Sequence, residues 1–534
     1  MAEKSNQYFL PFCLIFFLVF TVALNPARSI VTQDDGVYSQ FAIQLSQGQW
    51  EVHPLNVAGV WPQVLSSAFV LQLFPQMSSL VVLNMFTWSL FLLLILLVST
   101  KLSGDLFFWL SFFFFPVWVQ YGASFLTDIY TAILFWLLML NVFKEKSSLY
   151  SNIVIYFLTV FLILQYQVFF FFPFSWGLFD FFKNKKNIKI WSQALGSVTA
   201  LVILNVLPKS DLQSYGLSLY FERVFLHHPF YELFQTSLLA VQLTLGLGLF
   251  LLPIVYLDFI KKFFLKILLG QLILATFLYF FARDIIASGV LFTNYLPRAI
   301  GILFLSFGVW PLYQVYNDLK GKFSSAVPSF AGILLVIFFN AFRQVQDIRY
   351  SMILSLPILW LVYAKRGSFQ KSIGTHFLYT SLVIFVSLFV NTYNLETAQV
   401  RWDLANALEN HGYGSYEISA GYGRDLFALE PECTRMAIDK IATSGLSENK
   451  MKELFRERIL LKVPRVYEDE GLPRFLIKPS QFMGRKIHLT QNRREGQDQK
   501  PIFKKSYKVF GLVNAVSVIA TGDFQEPWCL KSFP

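Results

Sequence analysis

Two adjacent carboxylates, Asp34 and Asp35, open the polar stretch TQDDGVYSQFAIQLSQGQWEVHPL, and a third, Asp128, interrupts the apolar run QYGASFLTDIYTAILFW. A carboxylate at the wet end of an apolar segment is suited to taking a proton from a reacting hydroxyl. Deep in lipid it would cost about 2.5 to 3.5 kcal/mol, so such a residue is kept where it faces a cavity or a partner. Asp is also a favoured helix N-cap, and for Asp34, Asp35 and Asp128 both readings stay open at this level. Cations accompany the acids: Arg283 in FFARDIIASG, Arg298 in TNYLPRAI, and Arg343 and Arg349 in AFRQVQDIRYSMILSLP. A guanidinium matches a phosphate through paired hydrogen bonds, although each arginine alone also serves as an interfacial anchor. Acids and arginines on one side of the membrane together suggest a site for a phosphorylated lipid. His53, in HPL, fits a hydrogen-bonding or structural role better than metal ligation, and the adjacent His227 and His228 lack the spacing of a helical metal pair.

The elements that must hold these residues are set by composition. More than half of the 534 residues are hydrophobic, 14% are charged and Phe alone supplies 60, which no water-soluble chain of this length could bury. The apolar residues come in nearly uncharged blocks, such as YFLPFCLIFFLVFTVAL from Tyr8 and SSLVVLNMFTWSLFLLLILLV from Ser78. About 20 such residues cross a bilayer core as a helix, which satisfies its own backbone where lipid cannot. Alternating barrel strands would look different. The fold class expected is therefore an all-α polytopic membrane protein.

Topology follows from charge. The net charge of +11 sits largely in short loops: KLSGD from Lys101, KEKSS from Lys144, KNKKNIK from Lys183, KKFFLK from Lys261, DLKGK from Asp318 and AKRGSFQK from Ala364. Basic loops stay in the cytoplasm, so this charge reports orientation and not nucleic-acid binding. Counting between them gives about thirteen spans, expected at 8–24, 77–98, 106–122, 128–143, 151–165, 166–182, 190–207, 237–258, 267–282, 299–316, 328–342, 350–364 and 374–391. The N-terminus is then inside, and the first block is a span because no small-residue cleavage site follows it. Residues 25–76 form the first outer loop. In it Tyr38, Phe41, Ala42 and Leu45 have helical spacing, and the 14-residue run from Trp61 is a helix lying on the outer surface, too short to cross.

From Asn394 the composition turns mixed and charged, so residues 1–393 are expected as the membrane domain and 394–534 as a small α/β soluble domain outside. Three cysteines, Cys13, Cys433 and Cys529, are too few for a disulfide framework, though the last two could pair in an oxidising compartment. No Asn-x-Ser/Thr sequon occurs, which favours a bacterial inner membrane with the periplasm outside.

The acidic pair and aromatic-bearing helix DDGVYSQFAIQLSQGQW, followed by HPLNVAGVW, resembles the first outer loop of GT-C glycosyltransferases, in the branch of protein O-mannosyltransferases and lipid A aminoarabinose transferases. FLTDIY resembles the second acidic motif of that branch and DIRYSMILSLPILWLVYA its Arg-Tyr and proline span; the three appear in matching order over roughly residues 30 to 365. HPLN has one proline where two are common, and Asp35 stands where Glu is frequent. The resemblance implies a polyprenyl-phosphate sugar as donor and an extracytoplasmic acceptor. It implies Asp34 as the base and Asp35 or Asp128 as orienting groups, with Asp34 and Asp128 the ligands if a divalent cation takes part. Arg349, Arg283 and Arg298 would then bind the donor phosphate, and Tyr38, His53 and Tyr350 the acceptor side. No Gly-rich phosphate loop is present, which suits a lipid-linked donor better than a nucleotide sugar. A transporter of lipid-linked sugars and a noncatalytic envelope assembly protein are the other readings; a transporter is expected to bury charges near the bilayer midplane.

Overall fold

The computed structural model describes residues 35–50, 52, 60–99, 127–142, 148–170, 188–209, 373–414, 418–419, 475–479, 501–509 and 512–520, with the single positions 119, 122, 125, 273 and 276. The described helices are α1 (Asp35–Ser46), α2 (Trp61–Leu73), α3 (Met77–Ser99), α4 (Asp128–Val142), α5 (Leu149–Gln165), α6 (Ile188–Val206) and α7 (Ile373–Asn410). The strands are β1 (Ile418–Ser419), β2 (Phe475–Pro479), β3 (Pro501–Val509) and β4 (Leu512–Ala520). A single 3-10 turn, Gln167–Phe170, follows α5.

Three of the described helices set polar residues inward and large apolar residues outward. On α6 the buried positions are Lys189, Gln193, Gly196, Ser197 and Ala200, whereas Trp191, Leu195, Val198, Val202 and Val206 face outward, Trp191 being 73% and Val206 82% exposed. On α5, Ser151, Asn152 and Thr159 lie inside while Ile153, Phe157 and Phe161 lie outside. α7 likewise turns Leu378, Leu382 and Phe385 outward, and Thr380, Ser387 and Asn391 inward. Water would penalise such surfaces, and a soluble protein exposes only limited apolar patches. Lipid tails accept them, and small or hydroxylated residues then bring helices together. α6 is long and apolar enough to cross a bilayer; Ser78–Phe91, α4 and α5 are shorter apolar helices.

α5 and α6 pack closely and run parallel. Tyr156 donates to Thr199 at 3.1 Å, and Val160, Ile163 and Leu164 cluster with Ala200, with Ile203 and Leu204 packed alongside. The approach is set by Gly196: a Cβ there would lie 2.8 Å from the Tyr156 carbonyl oxygen and 3.1 Å from Thr159 Cβ. α4 packs on α5, and its last residue, Val142, accepts a hydrogen bond at 3.2 Å from the buried Lys189 ammonium at the start of α6. That cation satisfies one of the carbonyls a helix end leaves open and complements the negative end of its dipole. α3 runs parallel to α4, with Thr87 bonded to Tyr130 at 3.4 Å and Phe91 edge-on to Trp136 at 5.5 Å.

The expected spans at 77–98, 128–143, 151–165 and 190–207 coincide with α3, α4, α5 and α6 to within about two residues, the usual scatter of helix ends. The spans at 8–24, 106–122, 166–182, 237–258, 267–282, 299–316, 328–342 and 350–364 lie outside the described residues, wholly or in all but a few positions.

The last expected span, 374–391, is only the first half of α7, which continues for 38 residues in all, or about 57 Å. Position 393, where the composition changes, falls inside this helix. Its later turns bury Val400, Leu404 and Ala405 against Ile418, with Leu408 and Tyr413 beside them. The helix ends at Gly412, whose φ of 91° admits a glycine at no steric cost, while the Tyr413 amide turns back to the Leu408 carbonyl. α7 also packs on a four-stranded sheet of order β1-β2-β4-β3, in which β1 pairs parallel with β2 and the other pairs are antiparallel. Lys505 on β3 reaches Asp403 at 3.3 Å, an exposed pair worth at most about 1 kcal/mol.

Candidate functional site

Asp128 is the first residue of α4 and is 3% exposed. Its helix is apolar beyond it, and the turn is secured locally: the Thr131 amide and hydroxyl both bond to the Thr127 carbonyl. The preceding segment is pressed against α3, since a Cβ at Gly122 would meet the Trp88 indole at 3.1 Å, and Phe125 is fully buried. A carboxylate at this position gains from the positive end of the helix dipole. Its near-complete burial is more than an exposed cap would need.

Asp35 begins α1, as the helical spacing from Tyr38 to Leu45 predicts. Phe41, Ala42 and Leu45 are buried and Tyr38 is half-buried. Asp34, His53, Arg283, Arg298, Arg349 and Tyr350 lie outside the described residues. Among the described residues no three His, Cys, Asp or Glu side chains form a cluster. With Asp34 outside them, the divalent-cation reading of Asp34 and Asp128 supplies no step.

No family model matches the chain, and no curated protein does. Among solved structures, it is similar to the crystal structure of ArnT from Cupriavidus metallidurans bound to undecaprenyl phosphate. The match has 14% identity, covers 76% of this chain and 81% of that one, and has a TM-score of 0.33. That score is below the level at which two chains count as sharing a fold, so it decides nothing about this chain.

Three residues without an obvious chemical signature organise the end of the bundle where α4 begins and α5 ends. Gln63 in α2 and Gln165, the last residue of α5, are fully buried and joined twice: Gln165 Nε2 donates to the Gln63 side-chain Oε1 at 3.0 Å, and the Gln63 backbone N–H donates to Gln165 Oε1 at 3.2 Å. The Val60 amide donates to the Gln165 carbonyl at 3.1 Å. Val60 itself sits at φ 46°, ψ 15°, a left-handed conformation that costs a β-branched residue on the order of 1–3 kcal/mol. Next to it, Trp61 lies between Phe41 of α1, edge-on at 5.1 Å, and Trp50, stacked at 6.4 Å. α2 also packs on α3 and α5, both of which pack on α4. The helix begun by Asp35 and the helix begun by Asp128 are thus joined through α2.

In the sequence, the signal for these residues was a glutamine inside an apolar run, WPQVL and FLILQYQVFFF. Such a residue needs a partner wherever it is buried.

Proposed function

We propose that the chain is an integral membrane glycosyltransferase that moves a sugar from a polyprenyl-phosphate donor to an extracytoplasmic acceptor: a cell-envelope glycan, a lipid or a protein. It resides in a bacterial inner membrane, with the N-terminus in the cytoplasm and residues 394–534 outside. What carries this reading is Asp128, a carboxylate buried at the head of α4 in a bundle whose outward faces are apolar. Support comes from the order of the motifs that hold Asp34, Asp128 and Arg349.

In the step proposed, Asp34 takes the proton of the acceptor hydroxyl as its oxygen forms a bond to the anomeric carbon. The bond from that carbon to the donor phosphate breaks, its electron pair leaves with the polyprenyl phosphate, and the configuration inverts. Arg349, with Arg283 or Arg298, stabilises the charge developing on the phosphate. Asp35 or Asp128 orients the acceptor, and Tyr38, His53 and Tyr350 line its approach.

The test is sugar transfer from a panel of radiolabelled polyprenyl-phosphate sugars, with protein purified into lipid and native membrane extract as acceptor. Wild type should label an acceptor, and Asp34→Asn should lower the rate by about 10² to 10⁴ while folding normally. A wild type that transfers none of the panel, or a fully active Asp34→Asn, counts against the reading.

A further inference from the structure

The proposed reaction needs two acidic helices held in fixed relation, and α1 and α4 come from distant parts of the chain. We propose that Gln165 is the positioning residue that holds them, an inference that rests on the transferase reading. The route is continuous. Gln165 ends α5, which packs along α4. Its side chain and carbonyl grip Gln63 and Val60 at the head of α2, 102 positions away in sequence. Trp61, one of the two residues between them, is the one that Phe41 and Trp50 enclose, so the grip on α2 passes directly to α1.

Two features distinguish this from ordinary core packing. The Gln165 side-chain amide is fully buried and bonds both the side chain and the backbone N–H of Gln63, where an apolar pair would bind as well without directional demands. Val60 is held in a left-handed conformation that its own side chain disfavours, at the junction between the stretch carrying His53 and α2. A strained joint persists only when its surroundings hold it, and here the Val60 amide donates to the Gln165 carbonyl, a backbone contact beside the side-chain one. The grip fixes the head of α2, and hence where α1, which begins at Asp35, stands relative to Asp128.

Gln165→Met preserves volume and removes the side-chain hydrogen bonds. Its kcat for sugar transfer should fall about 10- to 100-fold, the effect of ångström-scale misplacement, with the KM for the polyprenyl donor little changed. Gln63→Met removes only the side-chain bond and keeps the backbone N–H to Gln165, so its loss should be smaller, and the double variant should lose no more than Gln165→Met alone, because both act through one contact. Spin labels at the exposed Gln49 and Lys209, on protein with its three cysteines replaced by serine, report the placement of α1 without activity. Their distance distribution should broaden in Gln165→Met. Unchanged kcat in an active enzyme, additive losses, or an unchanged distance distribution would each overturn the proposal. A wild type that transfers no sugar sinks the transferase reading instead, and the label distances then still decide whether Gln165 fixes α1.

Discussion

At Asp128 the capping and chemical readings make different demands on the same carboxylate. A cap in the first turn of α4 needs an oxygen and gains from charge only the dipole interaction, about 0.3–1 kcal/mol. Asp128→Asn keeps the oxygen and removes the charge, so a cap alone predicts nearly unchanged stability and full activity. A carboxylate that orients an acceptor hydroxyl predicts the same small shift in unfolding temperature, with transfer lowered at least about tenfold. Thermal unfolding in detergent and single-turnover transfer on one preparation separate the two, and full activity would leave Asp128 as a cap. The sequence could raise this choice because an acid in an apolar run is conspicuous. For Gln63 and Gln165 its only signal was a glutamine in an apolar run, which says that a partner is needed but not which one, since the partner lies 102 residues away. Nor could it single out Val60, since a valine in a left-handed turn is disfavoured by every local rule and is held there only by tertiary contacts.

Helices α3 to α6 were legible to within about two residues because one end of each lies at a charged loop that interrupts the apolar runs. α7 shows the limit of that reasoning. The segment NTYNLETAQVRWDLANALEN lacks glycine and proline, so nothing ends the helix where the apolar residues end, and it runs on to the turn at Gly412. Packing between helices was not read from the sequence: Ser192, Gly196 and Ala200 recur at the four-residue interval that suits close approach in membranes, but which helix they meet is a tertiary fact. With a backbone oxygen only 2.8 Å from where its Cβ would stand, Gly196→Ala must push α5 and α6 apart. The expected cost is about 1–3 kcal/mol, read as a lowered unfolding temperature in detergent. The outward-facing Leu195→Ala on the same helix should cost less, because Leu195 is 62% exposed. An equal effect at the two positions would show that the α5–α6 contact is not as close as the geometry has it.

The parallel packing of α5 and α6 turns the whole-molecule topology into a labelling experiment. Tyr150, at the start of α5, and Lys209, just past the end of α6, are exposed and lie at opposite ends of the pair. If basic loops stay inside, a cysteine at Tyr150 should react with an impermeant maleimide only in inverted vesicles. Cysteines at Lys209, Gln49 and Lys505 should react only from the periplasmic side. Labelling of Tyr150 and Lys209 from one side would mean that these helices do not cross the membrane, and with them would fall the outer placement of the acids. If Lys505 alone labels from the wrong side, the fault lies with α7: its roughly 57 Å would then cross in the opposite sense, or lie along the surface. The inverted polarity of the helices argues against that second outcome. Leu378, Leu382 and Phe385 face outward in the first half of α7, while the later turns bury Val400, Leu404 and Ala405 against the strands. One helix thus turns apolar residues outward along one half and inward along the other, as it must if it leaves lipid for water near position 393.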